Sequence, residues 1–429
     1  MQADGTADVD VPGLSLEPFR AIRPQGSSER IAALLCPPYD VIDAAQRAEL
    51  LRRDPDNAVG VILPEPTPAG YRQAADELTR LVHDGVYRVD EAHALYVYEM
   101  ADDDGQVTRG LVGAVELRDP GDGVILPHEN TMAGPVADRL AVMTATDSDL
   151  EPIYLVYDGG GEASAVVRDV ESDTPLVQAR TPDGLTHRLW AVTDPEAHAV
   201  VRADLATRRA LIADGHHRYA TYRERERQRQ EADGPGPWDR GMALLVDSTD
   251  YGPQVHAIHR VIPGLTLADA MARIEGVGAV QTVGDVATGL DRAERTAGFA
   301  LVLTDGDQVA LVTDPDATLR SAARRGGDVP ALTELDVTVL HRGLVERVWG
   351  LVDDVDTVRY AHSVGEAVRD ARAAGGTAVL LRPTPVQAVT AVAAAGARMP
   401  RKSTLFTPKP ASGLLIRRLA DQGGGPAPS

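Results

Sequence analysis

Residues 211–219 read Leu-Ile-Ala-Asp-Gly-His-His-Arg-Tyr, an apolar run that stops at Asp214-Gly215 and passes into an Arg/Glu-rich, helix-forming stretch, 217–231. Strand, tight turn and helix in that order put a glycine where backbone can approach a ligand closely. The helix that follows turns unpaired N–H groups and its positive dipole end toward an anion. His217 and Arg218 add side-chain donors at the same spot, and an arginine can grip a phosphate through two nitrogens. Asp214, just ahead of the turn, is placed to hold Mg²⁺ or to accept a proton from a hydroxyl. The plainer alternative makes Asp214 an N-cap and the histidines exposed first-turn residues. Two histidines and an arginine crowding one turn favour an anion cradle.

Outward from this turn the pattern is mixed α/β. Runs 94–98, 110–117, 153–157, 189–192, 210–213 and 242–246 have the apolar, β-branched character of strands, while 76–83, 195–208 and 217–231 read as helices. Several strands follow one another with no helix between them, so a mixed sheet is expected rather than a doubly wound one. The ends, 1–14 and 423–429, are polar or Gly/Pro-rich and are expected to be flexible. Between them the expectation is an N-terminal α/β domain over 15–262, an Ala-rich α/β region over 263–398 with a hairpin around Asp305-Gly306, and a segment 399–422 that returns to the site.

Length and charge narrow the function. A chain of 429 residues with 43% hydrophobic and 25% charged residues buries a sizeable core and is not a disordered chain. The net charge of −21 repels polyanions, which argues against nucleic-acid binding. The lone Cys36 excludes an intrachain disulfide and any site built from several thiolates. No apolar run is long enough to cross a bilayer and the first residues lack a signal-peptide pattern, so the expected location is the cytoplasm. Of 43 basic residues only two are lysines, Lys402 and Lys409, both inside Met-Pro-Arg-Lys-Ser-Thr-Leu-Phe-Thr-Pro-Lys-Pro, 399–410. Where arginine is the default cation, a retained lysine marks a place for a compact point charge, suited to a phosphate or carboxylate in a tight pocket. Ser403 and Thr404 add hydroxyls for the same ligand.

A further motif is Pro127-His128-Glu129-Asn130-Thr131, followed by Asp138-Arg139. His128 and Glu129 could present a general base and a metal-facing carboxylate, Thr131 a substrate contact and Arg139 an anion contact; alternatively Thr131 is a cap and Glu129 a solvated charge. Arg20, Tyr39 and Asp40 sit in rigid N-terminal turns and either line the site or pair structurally, and His259 is a candidate for the same cleft. No HExxH, Walker A, GxSxG or GxGxxG is present, which sets aside zincins, P-loop kinases, α/β-hydrolases and standard dinucleotide folds.

The segments ADGHHRYAT and PHENT, the opening FRAIRP…CPPYDVID and the closing MPRKSTLFTPKP together resemble the DUF1015 family, from Phe19 to about Leu419. The DGHHR turn is also similar to the phosphate-binding turn of the ParB/sulfiredoxin-like superfamily, which includes free-serine kinases, CTP-binding partition proteins and sulfiredoxin. That resemblance implies a mixed-sheet nucleotide site in which Gly215, His217 and Arg218 hold nucleotide phosphates while Asp214 and His216 sit near the transferred phosphoryl group. His216 stands where sulfiredoxin carries its reactive cysteine, so cysteine-repair chemistry is not implied. The expected function is a nucleotide-dependent phosphotransferase, a kinase of a small hydroxyl-bearing metabolite such as free serine. It would use Mg²⁺, held by Asp214 and Glu129, with ATP, ADP or another phosphate donor; Lys402 would offset charge on the phosphoryl oxygens, with Lys409 a second phosphate-binding candidate after it. The alternatives are a metal-dependent hydrolase using the His/Asp/Glu residues and a non-catalytic nucleotide-binding regulator. The expected partners are a nucleotide and a small polar metabolite, with homo-oligomerisation open.

Overall fold

A computed structural model describes residues 13–423 of the chain. Most of both ends expected to be flexible, 1–12 and 424–429, lies outside the described residues. Gly13 and Leu14, read as part of the loose start, are held instead: their N–H groups donate to the Ala206 and Arg208 carbonyls at 2.8 and 3.0 Å, and Leu14 is buried. The described chain forms two compact units. Unit 1 takes residues up to 127, 131–253 and 408 onward; unit 2 takes 128–130 and 254–407.

Unit 1 is built on a nine-stranded mixed sheet: β1 Leu16–Glu17, β2 Leu95–Ala101, β3 Val107–Glu116, β4 Ile125–Leu126, β5 Ile153–Tyr157, β6 Val177–Arg180, β7 Thr186–Val192, β8 Ala210–Asp214 and β9 Arg240–Asp247. Their order is β4-β8-β5-β9-β3-β2-β7-β6, with β1 pairing β3 beside the end of β2. The β4–β8 and β5–β9 pairs are parallel and the others antiparallel. The inner strands β2, β3, β5 and β9 are buried almost throughout, which is why they read as near-continuous apolar runs rather than as alternating ones. Leu95, Val97, Leu111, Ile153, Leu155, Ile212, Ala243 and Leu245 belong to one core cluster with Tyr219 and Tyr222 of the helix α2, His216–Asp233. A second cluster gathers Ile22, Leu34, Val59, Ile62, Leu78 and Val142, the last from helix α1, Ala133–Thr146, with Ile416 from the chain's end.

The helix α2 sequence, HHRYATYRERERQRQEAD, looks almost wholly polar, yet Arg218, Thr221, Tyr222 and Arg225 form a buried stripe at three- and four-residue spacing. Arginines tolerate this burial because each is partnered. Arg225 and Arg417 close on the fully buried Asp149 at 2.5 and 2.8 Å, and Asp149 also accepts the Met242 N–H at 3.1 Å. This triad ties α2, β9 and the returning C-terminal segment together; Arg417 also pairs in β-fashion with Asp149 itself.

Unit 2 has a fully antiparallel six-stranded sheet: β10 His259–Ile262, β11 Ala279–Val283, β12 Ala300–Thr304, β13 Val309–Thr313, β14 Arg359–Ala361 and β15 Thr377–Leu380. They run in the order β11-β13-β12-β15-β10-β14. The β12–β13 hairpin turns through Asp305-Gly306, where Gly306 takes φ +97°. Because β10 is an inner strand of this sheet, unit 2 begins ahead of position 263, and its core packs Val261, Val302, Leu311, Ala367 and Leu380. Segment 399–422 is shared: 399–407 belongs to unit 2 and the remainder to unit 1. No described helix is long and apolar enough to cross a membrane.

Breaking a buried pair by neutralising one partner leaves an uncompensated charge. Asp149→Asn is therefore expected to destabilise the protein by about 3–5 kcal/mol, read as a lowered denaturant midpoint; a change under about 1 kcal/mol, the size expected of a surface ion pair, would contradict this role for the triad.

Candidate functional site

Strand β8 ends at Asp214, and Gly215 then reverses the chain with φ +91° and ψ 29° before α2 begins. The left-handed conformation costs a residue with a Cβ roughly 1–2 kcal/mol, and a Cβ here would also lie 3.1 Å from the Arg218 Nε. Gly215 offers no side chain to cap α2, so the helix presents its first N–H groups uncapped by the preceding residue.

Asp214 is gripped from two sides. Its Oδ2 accepts from the Arg218 Nη2, and its Oδ1 accepts from the Lys409 Nζ at 2.7 Å. Lys409 also reaches the Asp40 Oδ2 at 3.4 Å. Burial works against the Lys409 ammonium, but Asp214 and then Asp40 outweigh it, so its pKa is raised and it stays charged. Arg218 is 1% exposed and gives its Nη1 to the Pro152 carbonyl, while its Nε has no partner. His217 accepts the Met132 N–H on Nε2 at 3.1 Å, and His216 is buried in the first turn.

Several expected ligand contacts prove to be structural. Arg218, expected to hold phosphate, is buried with its two terminal nitrogens on Pro152 and Asp214. Arg139 is 2% exposed, donates to the Ile62 carbonyl at 2.6 Å and to Asp138 at 2.7 Å, and lies 4.3 Å over the Tyr39 ring. Burial pushes the hydroxyl of Tyr39 up to about 12. Arg20 spends its Nε on the Asp90 carbonyl at 2.9 Å. Thr131 is exposed beside Met132.

In unit 2, two motifs far apart in sequence meet. The Nε2 of the buried His128 lies 3.0 Å from the Thr404 hydroxyl, its ring is 6.2 Å from Phe406, and its carbonyl accepts the Met399 N–H. Ser403 is buried and donates to the Pro400 carbonyl at 2.5 Å, so its hydroxyl serves the loop rather than a ligand. Lys402 is exposed with φ +55°, its carbonyl held by the buried Arg260 at 3.0 Å, and Glu129 is half-buried. His259 is no cleft residue: it is buried in β10, and its Nδ1 accepts the Leu381 N–H at 3.2 Å. Among the described residues no group of three or more His, Cys, Asp or Glu is arranged to hold a metal ion.

The residues that sequence reasoning missed lie in Leu150-Glu151-Pro152-Ile153-Tyr154. Pro152 acts through its carbonyl, which has no side-chain signature. Tyr154 pairs directly with Asp214 across the sheet, with its hydroxyl buried and unpartnered. Glu151 carried one readable signal, a carboxylate directly before a proline at the mouth of an apolar strand.

Gly215→Ala is expected to lower stability by about 1–2 kcal/mol through the left-handed backbone alone, and a neutral outcome in thermal or chemical unfolding would contradict the assigned geometry. Burial holds His259 down to about 4, against an ordinary 6.5. The unfolded chain then takes up a proton across that window and the folded chain does not. Stability is complete above about pH 6.5 and falls toward pH 4, by up to about 1.4 kcal/mol per pH unit. His259→Asn, which keeps an acceptor for Leu381, is expected to flatten that dependence in unfolding titrations; an unchanged slope would contradict it.

Residues 16–338 match the family model described as a protein of unknown function, DUF1015. No curated protein matches the chain. Among solved structures, a free serine kinase in complex with AMP is 17% identical, covering 66% of this chain and 83% of its own with a TM-score of 0.34. A conserved hypothetical protein from Pyrococcus furiosus is 16% identical over 70% and 93%, with a TM-score of 0.35. SbnI with a C-terminal truncation from Staphylococcus aureus is 10% identical over 73% and 90%, with a TM-score of 0.37. With three quarters of its length matched by the family model, the chain belongs to the DUF1015 family.

Proposed function

We propose that this protein binds a nucleotide at the Gly215 turn and transfers a phosphoryl group to a small hydroxyl-bearing metabolite, of which free serine is the leading candidate. The observation that carries the reading is the ion pair between Lys409 and Asp214, which brings a lysine from 195 residues away to the Gly215 turn at the start of α2. An ammonium, helix N–H groups and a positive dipole end then converge on one spot, the combination a phosphate chain needs. The unit 2 residues His128, Glu129, Lys402, Ser403 and Thr404 form their own cluster and are not required for this reading.

The Asp214 Oδ1 already carries a cation, the Lys409 ammonium, with Asp40 on that ammonium's other side. The same oxygen fits Mg²⁺ once Lys409 turns to a phosphate oxygen, and Mg²⁺ is commonly held by one or two carboxylates together with substrate phosphates. A bound Mg²⁺–nucleotide would supply the transferable phosphoryl group and offset its charge. Arg218 keeps the Asp214 carboxylate aimed through that exchange. With Arg218 on one oxygen and the metal on the other, Asp214 would orient the acceptor hydroxyl rather than deprotonate it. His216 and His217 lie in the first turn of α2, where they flank the phosphates.

A second reading, a nucleotide sensor without turnover, draws on the same ion pairs. A carboxylate with a cation on each oxygen is a weak base, and the site could bind without reacting.

Thermal-shift measurements with ATP, ADP, CTP and pyrophosphate, each with and without Mg²⁺, test the binding step. A ligand at 100 times its Kd adds about 2.7 kcal/mol to the native state, so at least one nucleotide is expected to raise the Tm. Lys409→Met is expected to remove that rise. A metabolite panel then separates the readings: turnover abolished by Asp214→Asn, with the fold intact, supports the kinase, and binding without turnover supports the sensor. No Tm rise with any nucleotide overturns both.

A further inference from the structure

Lys409 lies between two prolines, Pro408 and Pro410, neither of which has an N–H to anchor the strap it rides on. The strap must be fixed by its neighbours, Ala411 and Ser412. Ser412 exchanges backbone hydrogen bonds with Cys36 at 2.8 and 3.2 Å in an antiparallel bridge. The bridge stands alone, because Tyr39–Val41 turns as a 3-10 helix, and from that turn the Asp40 Oδ2 reaches the Lys409 Nζ at 3.4 Å. Ala411 donates its N–H to the Tyr98 hydroxyl at 3.1 Å, and that hydroxyl is 2.8 Å from the His187 Nδ1.

Glu151 crosslinks the two arms. It is 3% exposed, and its Oε1 accepts both the Ser412 hydroxyl at 2.5 Å and the Tyr39 N–H at 3.1 Å. A carboxylate this buried is costly unless it is hydrogen-bonded, and these donors, with the Arg218 charge nearby, are its compensation. The main chain of the same segment holds the floor of the site: the Glu151 carbonyl accepts the Tyr222 hydroxyl at 2.8 Å, and the Pro152 carbonyl accepts Arg218.

We propose that Glu151 is a positioning residue, clasping the 36–40 and 409–412 arms so that Asp40 and Lys409 converge on Asp214. The use of the clasp in phosphate binding rests on the nucleotide reading above; the clasp itself does not. It makes the placement of Lys409 depend on a group that touches neither the lysine nor a ligand.

The chain's two lysines make the test direct. Acetylation by N-hydroxysuccinimidyl acetate, followed by mass spectrometry, reports Lys409 against the exposed Lys402 as an internal reference. In the parent protein Lys409 is expected to react far more slowly. In Ser412→Ala and Glu151→Ala the Lys409 rate is expected to rise about tenfold relative to Lys402, the change that one pKa unit of lost ion pairing produces at fixed pH. Tm measurements show that each variant is folded. Glu151→Gln keeps an acceptor oxygen for both donors and is expected to retain the parental ratio. A folded Ser412→Ala protein with the parental ratio overturns the proposal, and this variant decides the matter if Glu151→Ala fails to fold. Thermal shifts with ATP and Mg²⁺ on the same proteins separate the two claims. Release of Lys409 with no nucleotide effect in the parent keeps the clasp and removes the nucleotide reading. A parental nucleotide effect with Lys409 unreleased removes the clasp alone.

Discussion

The carboxylate of Asp214 carries two cations of different kinds, and the organisation of unit 1 around its site follows from that. Arg218 reaches it from the first turn of α2, is fully buried, and is also fixed by the Pro152 carbonyl. Lys409 reaches it from the far end of the chain and keeps partial access to solvent. A buried guanidinium with its carboxylate removed would be left uncompensated, at a cost of several kcal/mol. The strand end, the Gly215 turn and the start of α2 are therefore locked to the presence of Asp214. The same carboxylate receives the one lysine that the C-terminal segment brings back.

The division between arginine and lysine has a physical basis. Arg218 has a planar fork that binds a carboxylate and a carbonyl at once, which suits a permanent brace. Lys409 is a point charge on a flexible stem between Asp214 and Asp40, which suits a cation that leaves one partner for another. The protein uses arginine at 41 of its 43 basic positions. Lysine at this one fits the proposed exchange of Asp214 for a phosphate, whereas nothing in the structure explains Lys402, which lies exposed in a loop held through its backbone.

Much of the fold was legible because buried strands such as Ile153–Tyr157 and Met242–Val246 declare themselves as apolar runs, and the Asp305-Gly306 hairpin declares itself by its turn. The division into units was less so. His128–Asn130 groups with a unit whose other residues begin at Gln254, a non-local relation that no local pattern carries. At the site, the Asp214-Gly215 turn and the return of a lysine were readable as chemistry. The orientation of the arginines was not: Arg139 and Arg218 look like phosphate ligands in a sequence, and the sequence does not show that both are buried, with terminal nitrogens on Ile62 and Asp138 and on Pro152 and Asp214. Glu151 escaped because its partners are a backbone amide and a serine more than a hundred positions away on either side.

The central claim is that Lys409 is a phosphate-responsive cation at the Gly215 turn. Lysine-selective isotope labelling yields two side-chain NMR signals, assignable by Lys409→Arg and Lys402→Arg. On titration with Mg²⁺–ATP, the account predicts that the Lys409 signal shifts and saturates while its Asp214 ion pair is exchanged for a phosphate. A Lys409 signal that stays in place at nucleotide concentrations saturating the protein would contradict it.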